Sequence, residues 1–600
     1  MRGGLARAAA TGAAVAILLV HPAPAPAASS QAVRATAALT RPDSLTKPPP
    51  DHFLNALQAT RIASRPSKLR EELRKHDHTT HEAFAKGPGR WQVSWYADGN
   101  EVGQVIVDER TRRAVEVWTG PQAAWQMARG LPGAFGRKVN SPAVWIPMMV
   151  AFFLPFFDWR RPFRLLHLDL LVLLSFSLSH VFFNKGDIDT SVPLVYPPLA
   201  YLLVRMLLVA YARGRAPPQP LRLLVPVGWL AIALVFLIGF RIGLNVTNSN
   251  VIDVGYSGVI GADRLTHGDP LYGQFPSDDP SGDTYGPVAY YAYVPFEQAF
   301  PWSGSWDDLA AAHAAALFFD VATILALLWV GRRLRRGREG TMLGVVLAYA
   351  WASFPYTLFV SNSNSNDALV ALLVVLSFGA LAAPRARGAL LALASATKFA
   401  PLALLPLFAS YDRRRVREAA LFALAFVAVT IVVFAPVIPD SGISKLWDRT
   451  VGFQLGRDSP FSIWGQHPGL DWLQSAAKAG LVALAFLVAL VPREKTPLQL
   501  AALAAAVLIA LQLTMSHWFY LYIVWWFPLV MLAILFRETD VVGLSGSASG
   551  EAAIYSPRVR ESARSSSRDR ADPTSPDNPS PTDLRQPSRT APASASRSAG

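Results

Sequence analysis

From residue 143 onward the chain is a succession of apolar runs separated by short polar or basic segments. Each run is close to the ~20 residues that a helix needs to cross a hydrocarbon core of ~30 Å. The runs at 143–158, 165–183, 192–212, 222–241, 309–331, 341–360, 366–383, 418–437, 478–492, 498–515 and 517–536 predict about 11 spans. A different period precedes them. WQVSWYAD (91–98), NEVGQVIVDE (100–109) and RAVEVWTG (113–120) alternate apolar and polar residues, with Asp98-Gly99 between the first two, and so predict an antiparallel meander of three strands. SKLREELRKH (67–76) suits a short helix ahead of it.

This divides the chain into regions. Residues 1–27, basic at Arg2 and Arg7, apolar through Val20 and ending in small residues, read as a secretory signal cleaved after Ala27; the alternative is an uncleaved first helix. Residues 28–142 form an extracytoplasmic α+β domain, 143–221 accessory membrane helices and 222–536 the membrane core. Residues 537–600, rich in Ser, Pro and Arg, form a disordered cytoplasmic tail. The expected fold class is mostly α, a polytopic helical membrane protein with a small α+β N-terminal domain.

Composition supports the membrane class: 52% of residues are hydrophobic and 16% charged, which excludes an ordinary soluble enzyme. The net charge of +14 sits in clusters between apolar runs, such as 332–338 and 412–417. That is the pattern of cytoplasmic loops and predicts no nucleic-acid partner. With no cysteine, thiolate chemistry and Cys-ligated metals are excluded. The positive-inside rule leaves residues 389–410 between two inside clusters. This run also carries Lys398, Pro401 and Pro406, so it predicts a re-entrant hairpin lining an internal site. The polar segments 242–308, SNSNSND (361–367), 438–477 and Ser516-His517-Trp518 then share the extracytoplasmic face.

The longest of these, 245–297, is acidic and reads as a loop near the membrane. If a sugar is donated from a lipid phosphate there, the transfer needs a carboxylate base, a cation for the departing phosphate and a groove for the lipid. Asp253, close to the preceding span, is the candidate base, and a solvated loop aspartate is the competing reading. Lys398, Arg457, His467, Arg264 and Arg241 are the candidate cations, with Lys398 foremost because charge at membrane depth is costly. A divalent metal on Asp253, Asp263 or Asp283 is a further option. Asn362, Asn364, Asn366 and Asp367 exceed what one helix cap requires, so some can bind sugar hydroxyls. Tyr285, Tyr290, Tyr291 and Tyr293 suit sugar stacking or the membrane interface, and Asp278 and Asp279 read as solvated surface. His76, His78 and His81 read as linker residues rather than metal ligands.

Two resemblances rest on these segments. WQVSWYADGNEVGQVIVDERTRRAVEVW, after its helix, resembles the PepSY family, which implies a binding or regulatory accessory. IDVGYSGVIGADRLTHGDPLYG, then GDTYGPVAYYAYVPFE, SNSNSNDALVALLVVL and ATKFAPLALLPLF, resemble the GT-C membrane glycosyltransferases. Within them the chain is most similar, over roughly 222–536, to the glycosyltransferase 87 group that uses polyprenyl-phosphate mannose. That likeness implies an inverting transfer of mannose or another sugar from a polyprenyl-phosphate donor to a glycolipid or polysaccharide acceptor of the cell envelope. It also implies an active face outside the plasma membrane, Asp253 as base, and a site that draws on Arg457, Ser459 and His467. Asp283, Tyr285, Asn366 and Asp367 join Lys398, Arg457 and His467 as expected substrate-binding residues. Val254 and Gly255 follow Asp253, so no Asp-x-Asp metal motif is present. The alternative functions are a transporter or flippase of a lipid-linked or small polar substrate, and a sensor anchored by its spans.

Overall fold

The computed structural model describes residues 39–130, 136–211, 221–276, 279–411, 416–439, 442–457 and 459–538. The predicted signal at 1–27, the tail beyond 538, Asp278 and the basic residues at 212–215 and 412–415 lie outside them.

Five antiparallel strands form one sheet in chain order: β1 (Leu39–Thr40), β2 (Thr80–Lys86), β3 (Arg90–Ala97), β4 (Asn100–Asp108) and β5 (Arg113–Thr119). The expected meander is β3 to β5, and β2 joins its edge. Ala97 pairs with Asn100 across Asp98 and Gly99, whose φ angles of 50° and 80° are the left-handed pair a two-residue hairpin requires. Alternation sends Trp91, Val93, Trp95, Val105 and Val107 to one face. The helices Ala56–Ala63 and Ser67–Leu73 cover that face with Ala59, Ile62 and Leu69. Full burial of each large apolar side chain contributes ~1.5–3 kcal/mol. Trp91 donates its indole N–H to Glu109, 2.5 Å away, so even its polar edge is satisfied.

Seven helices among the described residues are long and apolar enough to cross a membrane: Leu165–Asn184, Ile188–Tyr211, Val227–Asn248, Ala310–Leu334, Val416–Val437, Pro468–Leu490 and Pro497–Thr514. Gly337–Ser353 and Pro355–Asn362, bent by 61°, make an eighth if taken as one span. The chain is therefore a polytopic helical membrane protein, with fewer full-length helices than the run lengths predict. The segments at 143–158, 366–383 and 517–536 form the shorter apolar helices Pro142–Phe156, Asp367–Gly379 and Tyr520–Phe536. Their shortness has local causes. Pro155 opens a 3₁₀ turn after Phe153, and the polar 361–366 stretch delays the second helix to Asp367. The 389–410 run breaks where predicted: a helix ends at Ser395, and a 3₁₀ turn resumes at Ala400 beyond Lys398.

Two polar segments differ from their reading as surface loops. Residues 253–267 form a helix whose Gly255, Gly258 and Gly261 leave room for close packing by neighbouring segments. A Cβ on these three would lie 2.2 Å from the Asn364 carbonyl oxygen, 2.7 Å from the Tyr293 ring and 2.1 Å from the Tyr290 ring. SNSNSND is buried throughout. Asn364, in the left-handed region at φ 52°, donates to Ser249 Oγ at 3.0 Å and to the Asn250 carbonyl at 2.9 Å, and accepts from Asn245 at 2.8 Å. It thereby stitches the end of Val227–Asn248 to the start of the Asp253 helix.

Candidate functional site

Asp253 is the first residue of its helix, where unpaired backbone N–H groups favour a carboxylate. It sits deep among protein atoms, yet the residue keeps solvent-exposed surface. Burial raises its carboxyl above the ordinary aspartate value. Its own Val254 N–H and the charges of Arg457 and Lys398 pull it back down, and Asp367 pushes it up. These four residues therefore share one electrostatic site, although they are far apart in the chain.

Lys398 is placed by the break in its helix. The Tyr285-Gly286-Pro287 turn packs on that break so closely that a Cβ on Gly286 would lie 2.1 Å from the Ala396 carbonyl oxygen, and Val288 N–H donates to the same oxygen at 3.0 Å. Only glycine permits this approach. Lys398 Nζ donates to Asp367 Oδ1 at 2.6 Å, and the rings of Tyr285, Trp525 and Tyr522 surround it at 5.3, 5.7 and 5.8 Å. Trp525 Nε1 donates to the same Asp367 oxygen at 2.9 Å and Ser365 Oγ to the other at 2.8 Å. Asp367 is fully buried, so it acts as the counter-ion of Lys398 rather than as a direct sugar contact. Lys398, committed on one side, retains up to two N–H donors for a ligand. Beside this pair, both polar atoms of the Asn366 amide are buried without a hydrogen-bond partner. An unpaired buried amide is costly, which suits a group that a ligand completes.

Arg457 is the freer cation. Its guanidinium lies 5.2 Å from the Trp125 ring and 5.8 Å from that of Phe453, and its Nε has no hydrogen-bond partner. It opens on a polar recess of about 180 Å³ that is also lined by Ser459, Trp464, Asp471, Gln474, Lys478 and Ser516. Behind it, His517 Nδ1 is hydrogen-bonded to Ser459 Oγ at 2.7 Å. Burial pushes the His517 imidazole well below its usual value, and the charges of Arg457 and Lys398 push it the same way. A neutral imidazole results. Tyr285 stands against Lys398, its hydroxyl held well above the ordinary tyrosine value by burial and then by the charge of Asp253.

Several expected residues stand elsewhere. Arg241 is buried in a bidentate pair with Asp320, at 2.7 and 2.5 Å, so it is no phosphate ligand. Arg264 donates to the Pro270 carbonyl at 2.8 Å and to Gln274 at 3.3 Å on the surface. Asp283, fully buried, accepts from Arg449 at both oxygens and from Gly273 N–H at 2.5 Å; it joins the two outer segments and is not among the residues that line the recess. His467 is exposed on a turn and does not line the recess. Asp279 is buried, not solvated surface, and Ser257 Oγ donates to it at 2.7 Å. Tyr290 donates to the Gly282 carbonyl at 2.7 Å, and Tyr293 packs on Gly258. Asp263 faces His267 at 3.3 Å, apart from Asp253 and Asp283. The described residues gather no group of three or more His, Asp or Glu side chains for a metal.

Trp125, His517, Tyr522 and Trp525 are site residues that the sequence reading missed. The one available signal was SHW at 516–518, a polar interruption between two apolar runs. The arrangement joins an open carboxylate to two cations within an aromatic wall, the set needed to deprotonate a hydroxyl and receive an anionic leaving group. The model of glycosyltransferase family 87 matches residues 284–516, a range that contains Asp367, Lys398 and Arg457 but not Asp253. No curated protein matches the chain.

Proposed function

We propose that this chain, a membrane glycosyltransferase by the family 87 match over residues 284–516, moves a sugar from a polyprenyl-phosphate donor to a glycolipid or polysaccharide acceptor of the cell envelope. Mannose is the first sugar to try. The acceptor hydroxyl gives its proton to Asp253 as its oxygen bonds to the anomeric carbon. The bond from that carbon to the phosphate oxygen breaks, and the electron pair leaves with the phosphate. Attack from the face opposite the leaving group inverts the anomeric centre. Arg457, with the remaining N–H donors of Lys398, holds the phosphate, and Asn366 supplies an amide to the sugar. The observation that carries this reading is the open, deeply set Asp253 under the charges of both Arg457 and Lys398. No specific observation favours transport over transfer.

The test is transfer by the purified protein from polyprenyl-phosphate mannose and other polyprenyl-phosphate hexoses to envelope glycolipids, followed by mass analysis and anomeric configuration. An inverted product is expected. No transfer from any such donor, or a retained configuration, overturns the reading. The site is proposed to face outward from the plasma membrane, and the absence of cysteine makes this simple to check. Ser303→Cys should react with an impermeant maleimide on intact cells, and Arg338→Cys only after permeabilisation. The reverse pattern inverts the topology.

A further inference from the structure

We infer that Trp125, which belongs to the N-terminal part of the chain and not to the 284–516 transferase region, is a positioning residue that holds the Arg457 guanidinium toward the leaving phosphate. The inference rests on the proposed role of Arg457 as phosphate ligand. Trp125 follows the last strand of the sheet, between the turn Pro121–Ala124 and the 3₁₀ turn Gln126–Arg129. Its ring lies 5.2 Å from the Arg457 guanidinium, 5.7 Å from Phe461 and 5.7 Å from His517. Each of those three partners lies more than three hundred residues further along the chain.

The segment that carries Trp125 is fastened on both sides. Toward the sheet domain, Lys68 Nζ donates to Gln122 Oε1 at 2.8 Å. Toward the membrane helices, Gln122 Nε2 donates to the Gly186 carbonyl at 3.1 Å, and Gly130 packs so tightly that a Cβ would sit 2.7 Å from Asn184 O and Gly186 N. Arg129 Nε closes the turn by donating to the Gln122 carbonyl at 2.8 Å. Further along, Gly136 N–H donates to Asn250 Oδ1 at 2.7 Å and Lys138 N–H to Asn248 Oδ1 at 3.1 Å, just ahead of Asp253. The same stretch of chain thus reaches both the cation and the approach to the base.

The choice of an aromatic support has a chemical consequence. A carboxylate beside Arg457 would fix it equally well but would cancel its charge and occupy its N–H edge. Aromatic faces hold a guanidinium through the ring quadrupole and leave the charge uncancelled. Arg457 has no ion-pair partner among the described residues, while Lys398 has Asp367. Trp125 therefore supports a cation that lacks the counter-ion Lys398 has.

The experiment is a double-mutant cycle on the full chain, read by donor KM and kcat and by direct binding of farnesyl phosphate as a short-chain leaving group. Trp125→Ala is expected to raise KM and weaken farnesyl phosphate binding roughly tenfold, with kcat changed less. Trp125→Phe, which keeps a π face, should recover most of the loss. In an Arg457→Ala background Trp125→Ala should cost little more, because the two residues act as one. Equal losses in both backgrounds, a fall in kcat with KM unchanged, failure of Phe to rescue, or no farnesyl phosphate binding by the unsubstituted chain would overturn the inference. Binding that depends on Trp125 through Arg457 without any sugar transfer would instead sink the proposed reaction and leave this role standing.

Discussion

Arg241 and Lys398 are both basic residues carried by apolar segments, and each meets one buried aspartate, but the two pairs are finished differently. Around Arg241 little is left over. Asp320 takes Nε and one terminal nitrogen, the Ala352 carbonyl and Thr357 Oγ1 take the other at 3.2 and 3.3 Å, and Trp351 donates to Asp320 at 2.8 Å. The pair joins four helices at the bend between Ser353 and Pro355. Lys398 has a single ion contact, three aromatic rings and an open carboxylate nearby. Charge at membrane depth is thus a signal of importance, and the number of donors left unspent separates a structural clamp from a site that awaits a ligand.

The largest expected effect lies at the open side of this contrast. Asp253→Asn should lower kcat by ~10²–10⁴ without changing the melting temperature, since an amide cannot accept the acceptor's proton. Transfer at the unsubstituted rate would remove Asp253 as base. The clamp and the site separate when each pair is replaced by apolar residues of similar size, a change that is often neutral for stability. Arg241→Met with Asp320→Leu should keep both fold and transfer, whereas Lys398→Met with Asp367→Leu should keep the fold and lose transfer. Asp320→Asn alone leaves Arg241 buried and uncompensated and should cost ~3–5 kcal/mol, read as a lower melting temperature in detergent. Loss of transfer from a fully folded Arg241→Met/Asp320→Leu protein would erase the distinction. A subtler displacement is available at Gly255, where an added Cβ would meet the Asn364 carbonyl at 2.2 Å. Gly255→Ala should push the Asp253 helix aside and cost ~10² in kcat, the scale of a displacement near 1 Å. An unchanged kcat would show that the base tolerates movement.

What could be read from sequence follows from how local each cause is. Apolar runs predicted the long helices, and Asp98-Gly99 predicted its hairpin, because bilayer thickness and turn chemistry act within a few residues. The break at Lys398 was also legible, through Pro401 and Pro406. The segment 245–297 reads as a loop in sequence, because the packing stripe of Gly255, Gly258 and Gly261 has meaning only once Asn364, Tyr293 and Tyr290 lie against it. Asn364 reads only as one of several cap or sugar-binding candidates for the same reason: its partners Asn245, Ser249 and Asn250 are more than a hundred residues away. Arg241 and Asp283 read as free charges until Asp320 and Arg449 appeared beside them. The contact of Trp125 with Arg457 joins two regions whose patterns share no periodicity, so nothing in either predicts it.

The smallest effect sharpens the comparison most, because it measures how strongly the unneutralised cation acts on the base. As the proposed base Asp253 must be ionised to accept a proton, so transfer should fall as pH drops through its folded-state value. Burial raises that value above the ordinary 3.8, and the acid limb of kcat/KM should therefore lie above the limb of an ordinary aspartate. Arg457 lowers the value of Asp253 and Asp367 raises it. Removing the positive charge with Arg457→Gln should move the limb to higher pH. Removing the negative one with Asp367→Asn should move it to lower pH, and this second variant also releases Lys398 from its counter-ion, which acts in the same direction. Opposite displacements would place the base between an open cation and a screened one. Displacements of the same sign, or none, would mean that the limb belongs to another group and that Asp253 titrates outside the reaction.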